Sequence, residues 1–167
     1  MSRRLFLDTN VFAAAFADKD GAARGLVDAG AAGLMTVVIS ERLMKELTGL
    51  YRRLFGREEA SRVRAALLLF PSILIVDRIS WEMTLPVVSP FVRDRSDAPH
   101  FAAARSARVA AFVSYNRRSI LPQMFDLVPL ATPEAIIESV VGGAAWPSRR
   151  TLLDSWEEWA RRSPRAP

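Results

Sequence analysis

Short β-rich apolar runs alternate along this chain with segments of helical spacing, and that alternation is the strongest constraint on its fold. Arg4 to Leu7, Met35 to Ile39, Ile73 to Val76 and Ala110 to Val113 read as strands, and Leu127 to Leu130 as a short fifth. Val11 to Ala17 and Gly21 to Ala29 read as helix, the latter ending near Gly30 and Gly33. Ser40 is a good N-cap for a helix in which Leu43, Leu47, Leu50 and Leu54 recur at helical spacing and Gly56 ends the run. Glu58 to Phe70 is a further helix, stopped by Pro71, whereas residues 80 to 93, broken by Pro86 and Pro90, read as short helical pieces or loop. Asp97 to Arg108 is helical, with Asp97 and Pro99 in its first turn, and Thr132-Pro133-Glu134 starts a helix that ends at Gly142-Gly143. Strands alternating with helices predict an α/β fold of three layers, α/β/α, around a central parallel sheet of about five strands. That domain spans 1–143. Residues 144–167 form a C-terminal extension in which Thr151 to Arg162 is a helix carrying Leu152, Leu153, Trp156 and Trp159.

Acidic side chains stand where such a sheet binds ligands, outside the carboxyl ends of its strands. Asp8 follows the first strand and Glu46 lies one helical turn beyond the second. Asp94 and Asp97 open the segment leading to Ala110–Val113, and Asn116 sits just past that strand. Carboxylates gathered there, with His100 the only histidine and no cysteine, suit a hard cation such as Mg²⁺ or Mn²⁺. Each has a plainer reading beside it. Asp8 and Asp97 are also at helix-capping positions, Glu46 flanks Lys45 on a solvated helix, Asn116 is a turn residue, and Asp94 belongs to a surface charge run. A lone histidine is more often structural than catalytic, so His100 is given no role.

The rest of the composition limits the partners. The net charge is +5 and the pI about 10.6, a balance that favours polyanions. Lys19 and Lys45 are the only lysines, and the remaining cations are arginines, which suit bidentate phosphate contacts. Arg93, Arg95, Arg105, Arg117 and Arg118 lie near the acidic residues in sequence and are candidates for holding RNA phosphates; no aromatic residue is interleaved with them to make a stacking platform. Zero cysteine excludes disulfides and thiol chemistry. The longest apolar runs fall far short of the ~20 residues of a membrane span, and a strand begins too soon for a signal peptide. Those features lead to the expectation of a cytoplasmic protein.

Leu5-Phe6-Leu7-Asp8-Thr9-Asn10-Val11-Phe12, Ser40 to Leu47, Asp94 to Ala104 and Ala111 to Arg118 resemble, in order and spacing, the motifs of PIN-domain nucleases, including VapC-like toxins. The resemblance covers roughly residues 3 to 142. It implies a metal-dependent endoribonuclease whose catalytic and metal-binding positions fall on Asp8, Glu46, Asp97 and Asn116, the last in place of the commoner Asp. It places Asn10, Ser114 and Asp94 in supporting positions. It also implies an antitoxin protein that blocks the site, and a homodimer. Asn116 removes one negative charge from the set and motivates the alternative of a catalytically weak module that binds RNA or a partner protein. A haloacid-dehalogenase-type phosphatase also starts with strand-Asp, but needs a second Asp where this chain has Asn10.

Overall fold

The computed structural model describes residues 3–116 and 120–162. Five strands, β1 (Arg4–Leu7), β2 (Thr36–Ser40), β3 (Ile73–Val76), β4 (Ala111–Val113) and β5 (Leu130–Ala131), form one sheet in the order β3-β2-β1-β4-β5, and all its pairings are parallel. Helices α1 (Thr9–Ala17) and α2 (Ala22–Ala31) link β1 to β2; α3 (Glu41–Phe55) and α4 (Arg57–Leu68) link β2 to β3. A longer crossover, α5 (Arg78–Val88), a 3-10 turn (Ser89–Phe91) and α6 (Ala98–Ser106), carries the chain from β3 past β2 and β1 to β4. Right-handed crossovers then set α1 to α4 on one face and α5 and α6 on the other. The strand order turns around at β1, so the crevice between the ends of β1 and β4 is the switch point where open sheets bind ligands.

A sheet covered on both faces needs apolar side chains on both, which is why its strands read as unbroken apolar runs. Leu5, Phe6, Leu7, Val37, Val38 and Ile39 have no exposed surface. Each such side chain contributes roughly 1.5–3 kcal/mol relative to exposure. On the α6 face Phe6 stacks on its register partner Phe112 with centroids 4.9 Å apart, and Phe112 on Phe101 of α6 at 4.2 Å. Gly30 lets α2 lie close on β2: a β-carbon there would meet Val37 Cγ2 at 2.5 Å.

Several local expectations shift. Residues 80 to 93 are mainly one helix: α5 runs through Pro86, which falls in its last turn, where few downstream turns remain to be disturbed, and Pro90 sits in the 3-10 turn. Helix α6 stops at Ser106 because Arg108 turns to a φ of 52°, a left-handed stop that no glycine advertises. The fifth strand is Leu130–Ala131, while Met124–Leu127 is a single helical turn, α7. The buried stripe of α3 is Leu43, Met44, Leu47 and Tyr51, and Leu54 is exposed. After β5 come α8 (Pro133–Val140) and α9 (Arg149–Arg162); α9 packs along β5 with Leu152 and Trp156 buried, covering that edge of the sheet. Among the described residues no helix is long and apolar enough to cross a membrane.

Candidate active site

Asp8 leaves β1 as the N-cap of α1, and both its carboxylate oxygens accept hydrogen bonds. Oδ1 accepts from the Thr9 N–H at 2.7 Å; Oδ2 accepts from Ser114 Oγ at 2.7 Å and Asn10 Nδ2 at 2.9 Å. Asn10 Nδ2 also donates to Ser114 Oγ, its Oδ1 accepts from the Tyr115 N–H, and Ser114 Oγ accepts from the Asn116 N–H. These bonds lace the end of β1 to the end of β4. Asn10 and Ser114 therefore stand in direct contact with Asp8.

Asp97 precedes α6, yet its side chain makes no capping hydrogen bond. Its Oδ2 lies 3.4 Å from Asn116 Nδ2. Asp8, Asp97, Ser114, Asn116 and the ring of His100 together line a recess of about 10 Å³, close to the smallest space that holds one water-sized sphere. Burial pushes the Asp8 carboxyl up; the Ser114 hydrogen bond, the charge of His100 and the Thr9 N–H oppose it, and Asp97 adds to the rise. Asp8 is thus a carboxylate held in place by donors but short of positive charge.

Glu46 stands to one side of this recess. Its Oε1 takes a hydrogen bond from Arg42 Nε at 3.0 Å, and Oε2 pairs with His100 Nε2 at 3.0 Å, with Thr9 Oγ1 at 3.5 Å. Partial burial alone would raise its carboxyl. The hydrogen bond and charge of His100, then those of Arg42, outweigh it and hold Glu46 below its ordinary range.

His100, buried at 3% exposure, is the residue that sequence reasoning passed over. Its Nδ1 lies 3.2 Å from Ser40 Oγ, and that oxygen already accepts the Leu43 N–H at 3.0 Å as the cap of α3. The imidazole thus bridges the cap of α3, at Nδ1, to the Glu46 carboxylate, at Nε2. The available signal was the spacing of Asp97 and His100, three residues apart and so on one side of a helical turn.

The other expected residues are scattered. Asp94 is exposed and closes a local turn, its Oδ1 accepting from the Ser96 N–H and hydroxyl; those bonds, the backbone one first, hold its carboxyl low. Arg95 lies beside the site, in the hollow next to Arg42. Arg93 faces a crevice under α9, and Arg105 binds the Leu127 carbonyl toward the opposite ends of the strands. Arg117 and Arg118 lie outside the described residues.

The donors suit a hard cation. Mg²⁺ takes one or two carboxylates and keeps several waters, and Asp8 and Asp97 with the Asn116 amide match that demand. Among the described residues no group of three or more histidine, aspartate or glutamate side chains could hold a metal ion.

A sequence profile of the PIN domain matches residues 4–118. A solved structure described as a toxin-antitoxin complex from Klebsiella pneumoniae has a chain that superposes with a TM-score of 0.55 at 20% identity, over 77% of this chain and 97% of that one. Its likeness is one of fold. No curated protein matches the sequence.

Proposed function

This chain belongs to the PIN-domain family, whose members are generally nucleases, and we propose that it is a Mg²⁺- or Mn²⁺-dependent endoribonuclease acting as the toxin of a toxin-antitoxin pair in the cytoplasm. The observation that carries this reading is the meeting of Asp8, Asp97 and Asn116, from distant parts of the chain, around one ion-sized recess at the switch point of the sheet. A divalent cation bound there would supply an acidified water and offset charge developing on the phosphate. Asp8 is held for that task by Thr9, Asn10 and Ser114. Asp97 faces the same recess, and Asn116 brings an amide oxygen rather than a third charge. Glu46, kept ionised by His100 and Arg42, would reach such an ion through a water. Arg42 and Arg95 supply positive charge for the RNA backbone.

Support for the toxin assignment comes from the similar fold of a chain in a toxin-antitoxin complex. By the same reading the partners are an antitoxin protein that covers the carboxylates and a second copy of this chain. The test is incubation with single-stranded and structured RNA, with Mg²⁺ or Mn²⁺ and with EDTA, beside Asp8→Asn. Cleavage by the wild type alone, stopped by EDTA, is expected. RNA binding without cleavage would instead favour a catalytically weak module, a reading to which Asn116 in place of an acid lends weight.

A further inference from the structure

Beside the acidic recess is a second hollow, of about 600 Å³, walled by Arg42, Trp81, Glu82, Leu85, Arg95 and Pro99. That volume lies within the range of ligand pockets. It adjoins the acids through two connections. Pro99 is next to His100 and two positions after Asp97, which both line the recess, and Arg42 binds Glu46 through Nε. We propose that this hollow binds the nucleotide next to the scissile phosphate, with its base against the indole of Trp81 and its phosphate on Arg42 and Arg95.

The chemistry of the walls selects that ligand. Arg42 commits only Nε to Glu46, and its two Nη groups make no hydrogen bond among the described residues. Arg95 is exposed and has no hydrogen-bond or ion-pair partner among them either. Two guanidiniums with spare donors beside carboxylates that would carry a cation suit a phosphate. The carboxylate of Glu82 is held by Arg78 at 2.5 Å, so its charge is partly met. Trp81 adds the π-face that single-stranded nucleic acids use, because every base can stack on it. Its Nε1 is the one hidden side-chain nitrogen or oxygen without a hydrogen-bond partner among the described residues. Turning the ring to meet a base therefore breaks no hydrogen bond. The sequence hides the platform: Trp81 is far along the chain from Arg42 and fourteen residues from Arg95, and the packing of α6 against both α5 and α3 brings the three together.

This inference rests on the nuclease reading, and binding separates the two. The probe is a short fluorescently labelled single-stranded oligoribonucleotide, followed by anisotropy with Ca²⁺ in place of Mg²⁺ so that turnover is silent. Trp81→Leu should weaken binding by about tenfold, the scale of one base stacked on an aromatic ring, and Trp81→Phe should keep most of the affinity. Arg95→Gln, at an exposed position, should weaken binding and flatten its salt dependence. A series of oligonucleotides, each with one abasic nucleotide, should contain one that costs the wild type as much as Trp81→Leu does and costs that variant nothing more. Trp81→Leu and Arg95→Gln proteins that melt like the wild type and bind RNA equally well would overturn the hollow alone. Wild-type protein that binds no RNA would overturn the nuclease reading and the hollow with it.

Discussion

Ser40→Ala should weaken the fold and the site together, because one hydroxyl serves both. Ser40 has no exposed surface, so nothing in water replaces what it loses. Its Oγ caps α3 by accepting the Leu43 N–H and meets His100 Nδ1. Loss of a serine cap costs about 1 kcal/mol. Loss of the second bond, with a buried imidazole nitrogen left unpartnered, costs about 1 kcal/mol or more. The sum is about 2 kcal/mol, which in a domain of this size lowers Tm by about 4–8 °C. Urea unfolding in EDTA measures the loss, and a cycle with His100→Ala separates its halves. The cap portion should persist in the His100→Ala background, and about 1 kcal/mol should appear as coupling between the sites. A loss below about 0.5 kcal/mol, or strictly additive effects, would refute the linkage of cap, imidazole and Glu46.

Three further outcomes follow. Gly30→Ala should cost about 1–3 kcal/mol in unfolding experiments, since the added carbon meets Val37 Cγ2 at 2.5 Å and Phe70 Cε2 at 3.1 Å; an unchanged urea midpoint would show that α2 moves off β2 freely. In EDTA, stability should decline as pH rises above the ordinary Asp8 value of 3.8 and through its raised native value, because the native state keeps a proton the unfolded chain has released. Glu46, held low, acts the other way: its contribution is present above its ordinary value of 4.5 and is lost as pH falls through the lower native value. Asp8→Asn should abolish the first of these declines, and urea midpoints across the pH range that retained it would assign it to another group. Asn116→Asp should tighten Mn²⁺ binding and lower the melting temperature of the metal-free protein, because a third carboxylate joins the recess; calorimetry and a thermal melt on the same variant read both effects.

Asp8 and Asp97 were legible as site candidates because each follows a local signal, an apolar strand or the start of a helix, and the parallel sheet then sets the ends of those strands side by side. The helix-cap reading of Asp8 holds: the carboxylate caps α1 with one oxygen and faces Ser114 and Asn10 with the other. Asp94 was ambiguous in sequence and is a turn residue, its oxygen spent on Ser96 two positions away. What stayed hidden depends on packing between distant segments. His100 gains its meaning from Ser40 and Glu46, sixty and fifty-four residues away. Helix α5 runs through Pro86, against the local breaker signal. The stop of α6 at Arg108 uses a left-handed backbone on a residue that seldom adopts one.

If Asp8 and Asp97 form one divalent-cation site, a Mn²⁺ titration followed by electron paramagnetic resonance will show it. The expected result is saturable Mn²⁺ binding by the wild type, competed by Mg²⁺ and lost in an Asp97→Asn protein that still unfolds cooperatively. Wild-type protein that binds no Mn²⁺, or Asp97→Asn protein that binds it equally well, would contradict it.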